Sequence, residues 1–363
     1  MIYLLLLLTI YIWPFGQLLT FSIPGIPFTI YLLDVIVFLV FVSLVLSNKR
    51  KEIFSSPITK PLLIFLTTAT ASLLVNIRPG LLSGLSLSAL YLFRLIIYSS
   101  LFFAARFIGL KKLKIPLLIS IGIFLILGLV QYLAFPDMRY LKLLGFDDHY
   151  FRLIGSLYDP NFTGAILTGI GLYLIAKNKI VQSLPFVGMI ALTFSRASYL
   201  VFFIGLIYLM ITNKKIKLLL LFLILGIAII LIPKPAGEGV NLLRTFSIFS
   251  RFDSWKQGIN LFLAKPIIGW GYNTLRGAGD SRFQIDNSYI YLLATTGIIG
   301  ISAFIVLCFK LIKSISDEGV KILILSILLN SIFNNTLFYI WISAMFWFVL
   351  GIGQDKIKEY KSA

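Results

Sequence analysis

The chain of 363 residues is 59% hydrophobic and only 13% charged, and it carries a formal net charge of +18. A soluble domain is about 45–50% apolar and about 25% charged, so this composition and a mean hydropathy of +0.98 exclude a soluble globular enzyme. The single cysteine, Cys308, and the single histidine, His149, exclude an intrachain disulfide, a thiol metal cluster and a His-rich metal site.

Apolar segments of roughly 20 residues recur along the chain, which is the length that an α-helix needs to cross a membrane. Their continuous hydrophobicity differs from the alternating pattern of membrane β-strands. The sequence therefore predicts an all-α, polytopic membrane helical bundle of about twelve transmembrane helices. The segments lie near residues 2–20, 28–47, 61–76, 82–108, 115–134, 162–177, 180–195, 197–212, 217–233, 288–312, 321–335 and 337–353, and the last two are also compatible with one long helix. The first segment lacks the basic flank and cleavage site of a signal peptide, so we expect it to be a span.

Basic residues occur at every second junction between the predicted spans. The positive-inside rule places such junctions in the cytoplasm, so both termini are predicted to be cytoplasmic. The net charge then reflects topology rather than a nucleic-acid surface. Two long connections, residues 135–161 and 234–287, are predicted to lie on the outer side of a single membrane domain, 1–363. The basic junctions contain Lys49, Arg50, Lys51, Lys60, Arg106, Lys111, Lys112, Lys114, Lys177, Lys179, Lys214, Lys215, Lys217, Lys310, Lys313 and Lys321.

The larger outer loop contains a segment with apolar residues at helical spacing. These residues are Phe252, Trp255, Ile259, Phe262 and Leu263, with Asp253, Lys256 and Gln257 between them. The pattern predicts an amphipathic helix. This helix either lies along the outer membrane interface or covers the end of the bundle.

Polar residues mark two junctions on the predicted outer face. Asp159-Pro160 interrupts the chain before the sixth span, and Asn161 is placed either to cap that helix, which is favoured, or to bind a ligand. Arg152 either contacts substrate or holds the loop. Arg196 lies between the seventh and eighth spans, where a guanidinium group needs water, an acid or a ligand anion unless it extends to lipid headgroups.

Further charged and polar residues lie within or next to the predicted spans. Asp34 and Arg94 occur inside spans, and each is predicted to pair structurally with other groups in the bundle. The large loop contains Arg251 and a Gly-rich turn, residues 269–273, and Asp286 leads into the tenth span. The turn lacks the third glycine and the preceding strand of a GxGxxG phosphate site. With no Walker or Ser-His pattern in the chain, an energy-coupled pump and a soluble-type hydrolase have no support.

Four segments resemble, in order, the O-antigen ligase and O-antigen polymerase superfamily of multispanning glycosyltransferases. They are RLIGSLYDPN (152–161), TFSRAS (193–198), RFDSWKQGINLFLAKPIIGWGYNTL (251–275) and DNSYIYLLATTGIIG (286–300). The resemblance implies a GT-C type fold with a large extracytoplasmic loop before a late span. It also implies transfer of a glycan from a polyprenyl-diphosphate-linked oligosaccharide to an acceptor hydroxyl outside the cytoplasmic membrane. A chain-length regulator protein is a further partner compatible with that activity, and no cofactor, metal or nucleotide is required.

One position departs from the pattern of the ligases in this superfamily, which carry His immediately before the Asn of the last segment. Here that position is Asp286, which favours a polysaccharide polymerase over a ligase. A flippase or transporter of the same lipid-linked glycans is the third alternative. Transporters expose polar groups to both membrane faces through broken helices and repeats, whereas these polar segments are all predicted to lie on one face, which favours an enzyme.

The resemblance also suggests roles for individual side chains. Because guanidinium groups bind phosphate oxygens in a bidentate manner, Arg196 and Arg251 are predicted to stabilise the departing diphosphate, followed by Arg152. Asp286 is predicted to orient the acceptor hydroxyl or to accept its proton, with orientation favoured because nearby arginines lower a carboxyl pKa. The predicted substrate-binding residues are Arg152, Asn161, Trp270, Asn287 and Tyr289.

Overall fold

A computed structural model describes residues 1–22, 28–76, 82–213, 218–232, 238–242, 245–276 and 285–354. Within these ranges the chain forms fourteen α-helices and one antiparallel hairpin of β1 (Thr20–Ser22) and β2 (Thr29–Tyr31), in which Phe21 pairs with Ile30. The helices are α1 (Ile2–Ile12), α2 (Leu32–Val45), α3 (Arg50–Phe54), α4 (Thr59–Val75), α5 (Leu82–Ile108), α6 (Leu110–Ala134), α7 (Pro160–Ala176), α8 (Ile180–Thr193), α9 (Arg196–Asn213), α10 (Leu219–Leu231), α11 (Phe246–Ala264), α12 (Ser288–Lys313), α13 (Glu318–Asn330) and α14 (Ile340–Ile352).

The predicted all-α class is confirmed, and every predicted span contains a helix. The last two segments are separate helices, α13 and α14. The first segment is helical only to Ile12 and continues as a 3₁₀ helix, Trp13–Leu18, because Pro14 and Gly16 interrupt regular α-helix. Among the described residues, three helical stretches are long and apolar enough to cross a membrane, namely Leu87–Ile108, Leu110–Ala134 and Ser288–Lys313. The other apolar helices are shorter, so the number of twelve spans remains a prediction.

The helices pack around one large apolar core, with two smaller apolar clusters beside it. α5 packs against α2 and α14, and α7 packs against α8, α9 and α13. α12 packs against both α4 and α11. The predicted amphipathic helix is α11, and its side chains Phe252, Ile259 and Leu263 are exposed. An exposed apolar face is compatible with a helix along the membrane interface and with a helix that covers the end of the bundle. The two predicted positions of α11 therefore both stay open.

Asp34 and Arg94 form a buried ion pair with each other. The sequence predicts that each pairs within the bundle, and the structure identifies the partner. Arg94 Nε donates to Asp34 Oδ1 at 2.8 Å, and the hydroxyl of Tyr98 donates to the same oxygen at 2.9 Å. Nη2 of Arg94 donates both to Asp34 Oδ2 and to the carbonyl of Thr29, and Cζ lies 4.3 Å from the ring centroid of Phe28. Buried charges are tolerated when they are paired and hydrogen-bonded in this way. The pair therefore links α2, α5 and β2 as part of the fold.

Helix α12 is interrupted at Gly297, which has φ of 65° and ψ of −169°. The apolar pattern of residues 288–312 does not predict this break. A break leaves backbone N–H and carbonyl groups unpaired, and such groups are costly inside a protein or a membrane. Residues 266–271, called here the bracing segment, cross α12 at the break. Gly297 contacts the carbonyl of Ile267 so closely that a side chain has no room.

The bracing segment supplies hydrogen bonds that the interrupted helix lacks. The N–H groups of Trp270 and Gly271 donate to the carbonyls of Ala294 and Thr295 at 3.0 and 2.9 Å, and the N–H of Ile298 donates to the carbonyl of Pro266 at 2.8 Å. Broken helices are tolerated where neighbouring groups satisfy the freed backbone in this way. Gly297 in the resembling segment 286–300 thus has a structural explanation.

Side chains at the end of α4 also bind the bracing segment through hydrogen bonds. Ser72 Oγ lies 2.7 Å from the carbonyl of Ile268 and 2.8 Å from that of Thr295. Asn76 Nδ2 donates to the carbonyl of Gly269 at 3.0 Å, and Lys265 Nζ donates to Asn76 Oδ1 at 2.7 Å. These contacts join α4, the bracing segment and α12 into one unit.

We expect Gly297→Ala to destabilise the protein. Alanine at positive φ is strained by about 1–3 kcal/mol, and its methyl group would also push the bracing segment away from α12. The strain alone is expected to lower the melting temperature of the purified protein in detergent by roughly 1–4 °C, and displacement of the bracing segment lowers it further. Gly122→Ala in α6 is the matched control, because a methyl group there meets nothing within 4 Å. Equal melting temperatures for the two variants would contradict the bracing role of residues 266–271.

Candidate active site

The favoured prediction that Asn161 caps α7 is wrong. Asp159 is the cap, and its Oδ1 accepts the backbone N–H groups of Asn161 and Phe162 at 2.6 and 3.0 Å. Pro160 occupies the first helical position, where its missing N–H is not needed. That placement of proline is the sequence signal for Asp159 as the cap. Asn161 lies one position further along, and its Oδ1 accepts the Ser195 hydroxyl at 3.0 Å.

A tight turn between α8 and α9 brings Arg196 next to the start of α7. Phe194 has a positive φ of 49°, so the chain reverses without a loop. Ser195 joins the two helix starts, because its Oγ accepts the backbone N–H of Ser198 at 3.4 Å and donates to Asn161. Arg196 is the first residue of α9, and its Nη1 donates to the carbonyl of Leu242 at 3.2 Å.

Arg152 lies behind this turn and supports it. Its side chain is 6% exposed. Nε donates to the carbonyl of Thr193 at 3.0 Å, and Nη2 donates to that of Phe194 at 3.3 Å. These bonds fix the reversal from which Arg196 projects. Of the two roles considered for Arg152, holding the loop is thus visible in the structure, and substrate contact stays a prediction.

Arg251 projects from α11 toward the junction between α13 and α14. Its Nη2 donates to Asn334 Oδ1 at 3.3 Å, and Asn334 Nδ2 donates to Asn330 Oδ1 at 3.2 Å. The backbone carbonyl of Asn334 accepts the hydroxyl of Ser288 at 3.1 Å. Asn330 and Asn334 are not among the site residues predicted from the sequence. The sequence feature that could have identified Asn334 is an Asn-Asn pair, residues 334–335, between two apolar segments.

Asp286 is held against the same helix that carries Arg251. Trp255 Nε1 donates to the carbonyl of Asp286 at 3.1 Å, and the N–H of Asp286 donates to Ser254 Oγ at 3.3 Å. Residues 251, 254 and 255 share one face of α11, because they are three and four positions apart. Arg251 and the backbone of Asp286 are consequently positioned by the same helical surface.

The charged groups of these junctions lie close enough to affect one another. Burial lowers the pKa of Arg251, and the carboxylate of Asp286 opposes this effect. The charge of Arg196 lowers the pKa of Arg251 further, although an arginine stays protonated at neutral pH. Burial raises the pKa of Asp159, against the backbone N–H donors and the charges of Arg152 and Arg251. The predicted catalytic residues Asp286, Arg196 and Arg251 are thus brought together, and Asp159 joins them.

A groove of about 260 Å³ opens beside this cluster. It is lined by Arg196, Ala197, Leu200, Ile248, Arg251, Phe252, Trp255 and Phe333. Two guanidinium groups accompany a wall that is otherwise apolar. Leu200, Ile248 and Phe252 are 44, 41 and 60% exposed, so the apolar wall is open at its side. The groove therefore combines an anion-binding end with a surface suited to a hydrocarbon chain.

Three predicted substrate-binding residues make contacts away from the groove lining. Asn287 caps α12, because its Oδ1 accepts the N–H groups of Tyr289 and Ile290 at 2.9 and 3.0 Å. The hydroxyl of Tyr289 donates to the carbonyl of Leu328 at 2.7 Å. Trp270 belongs to the bracing segment, and its Nε1 donates to the carbonyl of Leu261 at 2.7 Å. Their roles in binding sugar remain predictions.

The single histidine, His149, lies in the connection between α6 and α7 and is not part of the groove lining. Its side chain is 7% exposed. Burial, followed by the nearby charge of Arg152, lowers the pKa of His149 to about 4. His149 is consequently neutral at pH 7 and adds no positive charge to the cluster.

Comparison with protein families gives one result that bears on this arrangement. The family model described as O-antigen ligase matches residues 183–305, about a third of the chain. The match includes Arg196, Arg251 and Asp286 and the whole bracing segment. A comparison with curated proteins gives no match. The ordered segments, their convergence in space and this family match together confirm the resemblance of the chain to the O-antigen ligase and polymerase superfamily.

Proposed function

We propose that this membrane protein is a glycosyltransferase that takes its glycan from a polyprenyl diphosphate carrier. The groove beside Arg196 and Arg251 is the single observation that carries the proposal. Its two permanent cations suit a diphosphate, and its apolar side, Leu200, Ile248 and Phe252, suits a polyprenyl chain. The family match supports glycan transfer as the class of reaction.

The chemistry requires the acceptor hydroxyl oxygen to attack the anomeric carbon of the donor sugar. The bond between that carbon and the diphosphate oxygen breaks, and its electron pair leaves with the diphosphate. Arg196 and Arg251 stabilise the negative charge that develops there, in a site partly removed from water. The hydroxyl loses its proton, which Asp286 accepts or passes to water while it orients the acceptor. Arg152 acts through the turn that carries Arg196.

A polymerase is the favoured member of the superfamily. Asp286 stands where the ligases carry a histidine, and His149 is buried and neutral at pH 7. The polymerase reaction joins a growing glycan on one carrier to a hydroxyl of a lipid-linked repeat unit. A ligase that moves finished glycan to a lipid core or a protein is the second candidate, favoured by the O-antigen ligase description of the matching family. A transporter of lipid-linked glycan ranks third.

The proposal also includes a location and an environment. The charge pattern favours the cytoplasmic membrane, with both termini in the cytoplasm and the groove on the outer side. The lipid bilayer then surrounds the exposed apolar wall. A chain-length regulator protein is a further proposed partner.

Removing either groove arginine should strongly reduce glycan extension. Arg196→Gln and Arg251→Gln are each expected to lower the rate about 10²–10³-fold, as the loss of one group that stabilises transition-state charge does. The measurement is the rate of product formation by purified protein from a lipid-diphosphate glycan. Lys256→Gln removes an exposed charge from the same helix as Arg251 and serves as the control. Full activity in both arginine variants would remove the diphosphate assignment.

Asn334 is expected to act by positioning Arg251. Asn334→Leu removes the oxygen that accepts from Arg251 Nη2, and we expect a loss of activity of about tenfold or more, typical of a hydrogen bond to a charged group. A double-mutant cycle tests the route of the effect. Asn334→Leu should cost little further activity when Arg251 is already glutamine. Additive losses would contradict the positioning role.

An assay in which purified protein receives lipid-linked repeat units as its only substrate distinguishes the polymerase from the ligase. A polymerase uses them as donor and acceptor, so we expect a ladder of longer lipid-linked chains on gel electrophoresis. The Arg251→Gln protein is the control for contaminating enzymes. Product that forms only after a separate lipid-core or protein acceptor is added would favour the ligase.

A further inference from the structure

A second cavity, of about 1030 Å³, lies at the end of the bundle opposite the candidate active site. It is bordered by residues next to α3, by the start of α4 and by the end of α5, and Ser314 at the end of α12 also lines it. Helix α12 begins next to Asp286 and ends at Lys313, so its 26 residues separate the two sites by roughly 35 Å. No residue of the arginine groove lines this cavity.

One end of the cavity is positively charged and contains a buried N–H donor without an acceptor in the described part of the chain. Arg106 is 9% exposed, and its Nη1 donates to the carbonyl of Ser55 at 2.9 Å. Its buried Nε has no hydrogen-bond partner among the described residues. An unsatisfied buried donor on a charged group is costly. Lys60 adds a second positive charge, and none of the lining residues is acidic.

The remainder of the cavity continues along an apolar face of α4. Leu63 and Ile64, one turn beyond Lys60, are 56 and 49% exposed, and Thr67 follows one turn later. From Lys60 to Thr67 the helix rises about 10 Å. The cavity thus presents a cationic end followed by a hydrophobic strip along the axis of a predicted span.

We propose that this cavity binds one anionic glycerophospholipid. The phosphate lies between Arg106 and Lys60, where its oxygens accept hydrogen bonds from both side chains, and an acyl chain follows Leu63 and Ile64 along α4. Charge complementarity selects an anionic headgroup. The apolar strip favours a lipid over a soluble phosphate, because only a lipid has an acyl chain that removes Leu63 and Ile64 from water. The site is independent of the chemistry at the arginine groove.

Native mass spectrometry of the purified full chain tests the proposal. The protein is titrated with phosphatidylglycerol and, separately, with phosphatidylcholine of the same acyl chains. We expect tighter binding of phosphatidylglycerol, weakened about fivefold by Lys60→Gln, as for the loss of one basic residue at a lipid surface. Arg106→Gln should weaken it at least as much. Because Arg106 also binds Ser55, its variant is interpreted only if its melting temperature matches that of the unchanged protein, whereas Lys60 is exposed and decides the outcome by itself.

Lys112→Gln is the matched control. Lys112 is exposed in the first turn of α6, shortly after Arg106 in the chain, and does not line the cavity. Its variant should bind phosphatidylglycerol like the unchanged protein. Equal affinity of the Lys60→Gln and unchanged proteins would overturn the proposal, and so would equal weakening by Lys60→Gln and Lys112→Gln. Displacement of the lipid by inorganic phosphate alone would also overturn the proposal, because the cavity would then be a site for a soluble anion.

Discussion

The interruption of α12 at Gly297 is the constraint on which the arrangement of the candidate site depends. The freed backbone groups are satisfied by residues 266–271, so this segment cannot shift along α12 without exposing them. Helix α11 ends at Ala264, immediately before the bracing segment, and α12 begins at Ser288, just after Asp286. The same hydrogen bonds that close the break therefore fix how α11 lies against the first half of α12. Arg251 and Asp286 are neighbours as a consequence.

Two groups of charged side chains, one buried and one mostly half-buried, differ in how fully opposite charges neutralise them. Asp34 and Arg94 satisfy each other, with Tyr98 and Thr29 completing their hydrogen bonds. At the candidate site, three arginines face two carboxyl groups, and burial raises the pKa of one of these, Asp159. A locally positive site next to an apolar wall favours a ligand that is itself anionic at one end and hydrophobic at the other. The first group is best explained by folding, and the second by the lipid diphosphate proposed here.

Hydropathy was sufficient to predict the helices, because each long apolar segment has one way to satisfy its backbone. Spacing also predicts α11. The positions of Asp34 and Arg94 inside apolar spans predict that each pairs within the bundle, whereas their pairing with each other joins residues 60 positions apart and is visible only in the structure. The cap of α7 was assigned wrongly to Asn161, since the choice depends on the first helical residue, which Pro160 determines. The break at Gly297 and the contact of Arg251 with Asn334 depend on segments far apart in the chain. Single-sequence patterns do not contain such pairings.

The open side of the arginine groove affects how a substrate would arrive there. Leu200, Ile248 and Phe252 form a wall that no other described part of the protein covers. A carrier lipid can approach such a wall by diffusion within the plane of the bilayer, with its hydrocarbon chain remaining among other lipids throughout. The encounter rate then depends on the number of carriers per unit area of membrane, and the aqueous concentration of glycan has no direct influence on it. Turnover by this protein would accordingly respond to dilution of the carrier with other lipids, even when the total amount of carrier is constant.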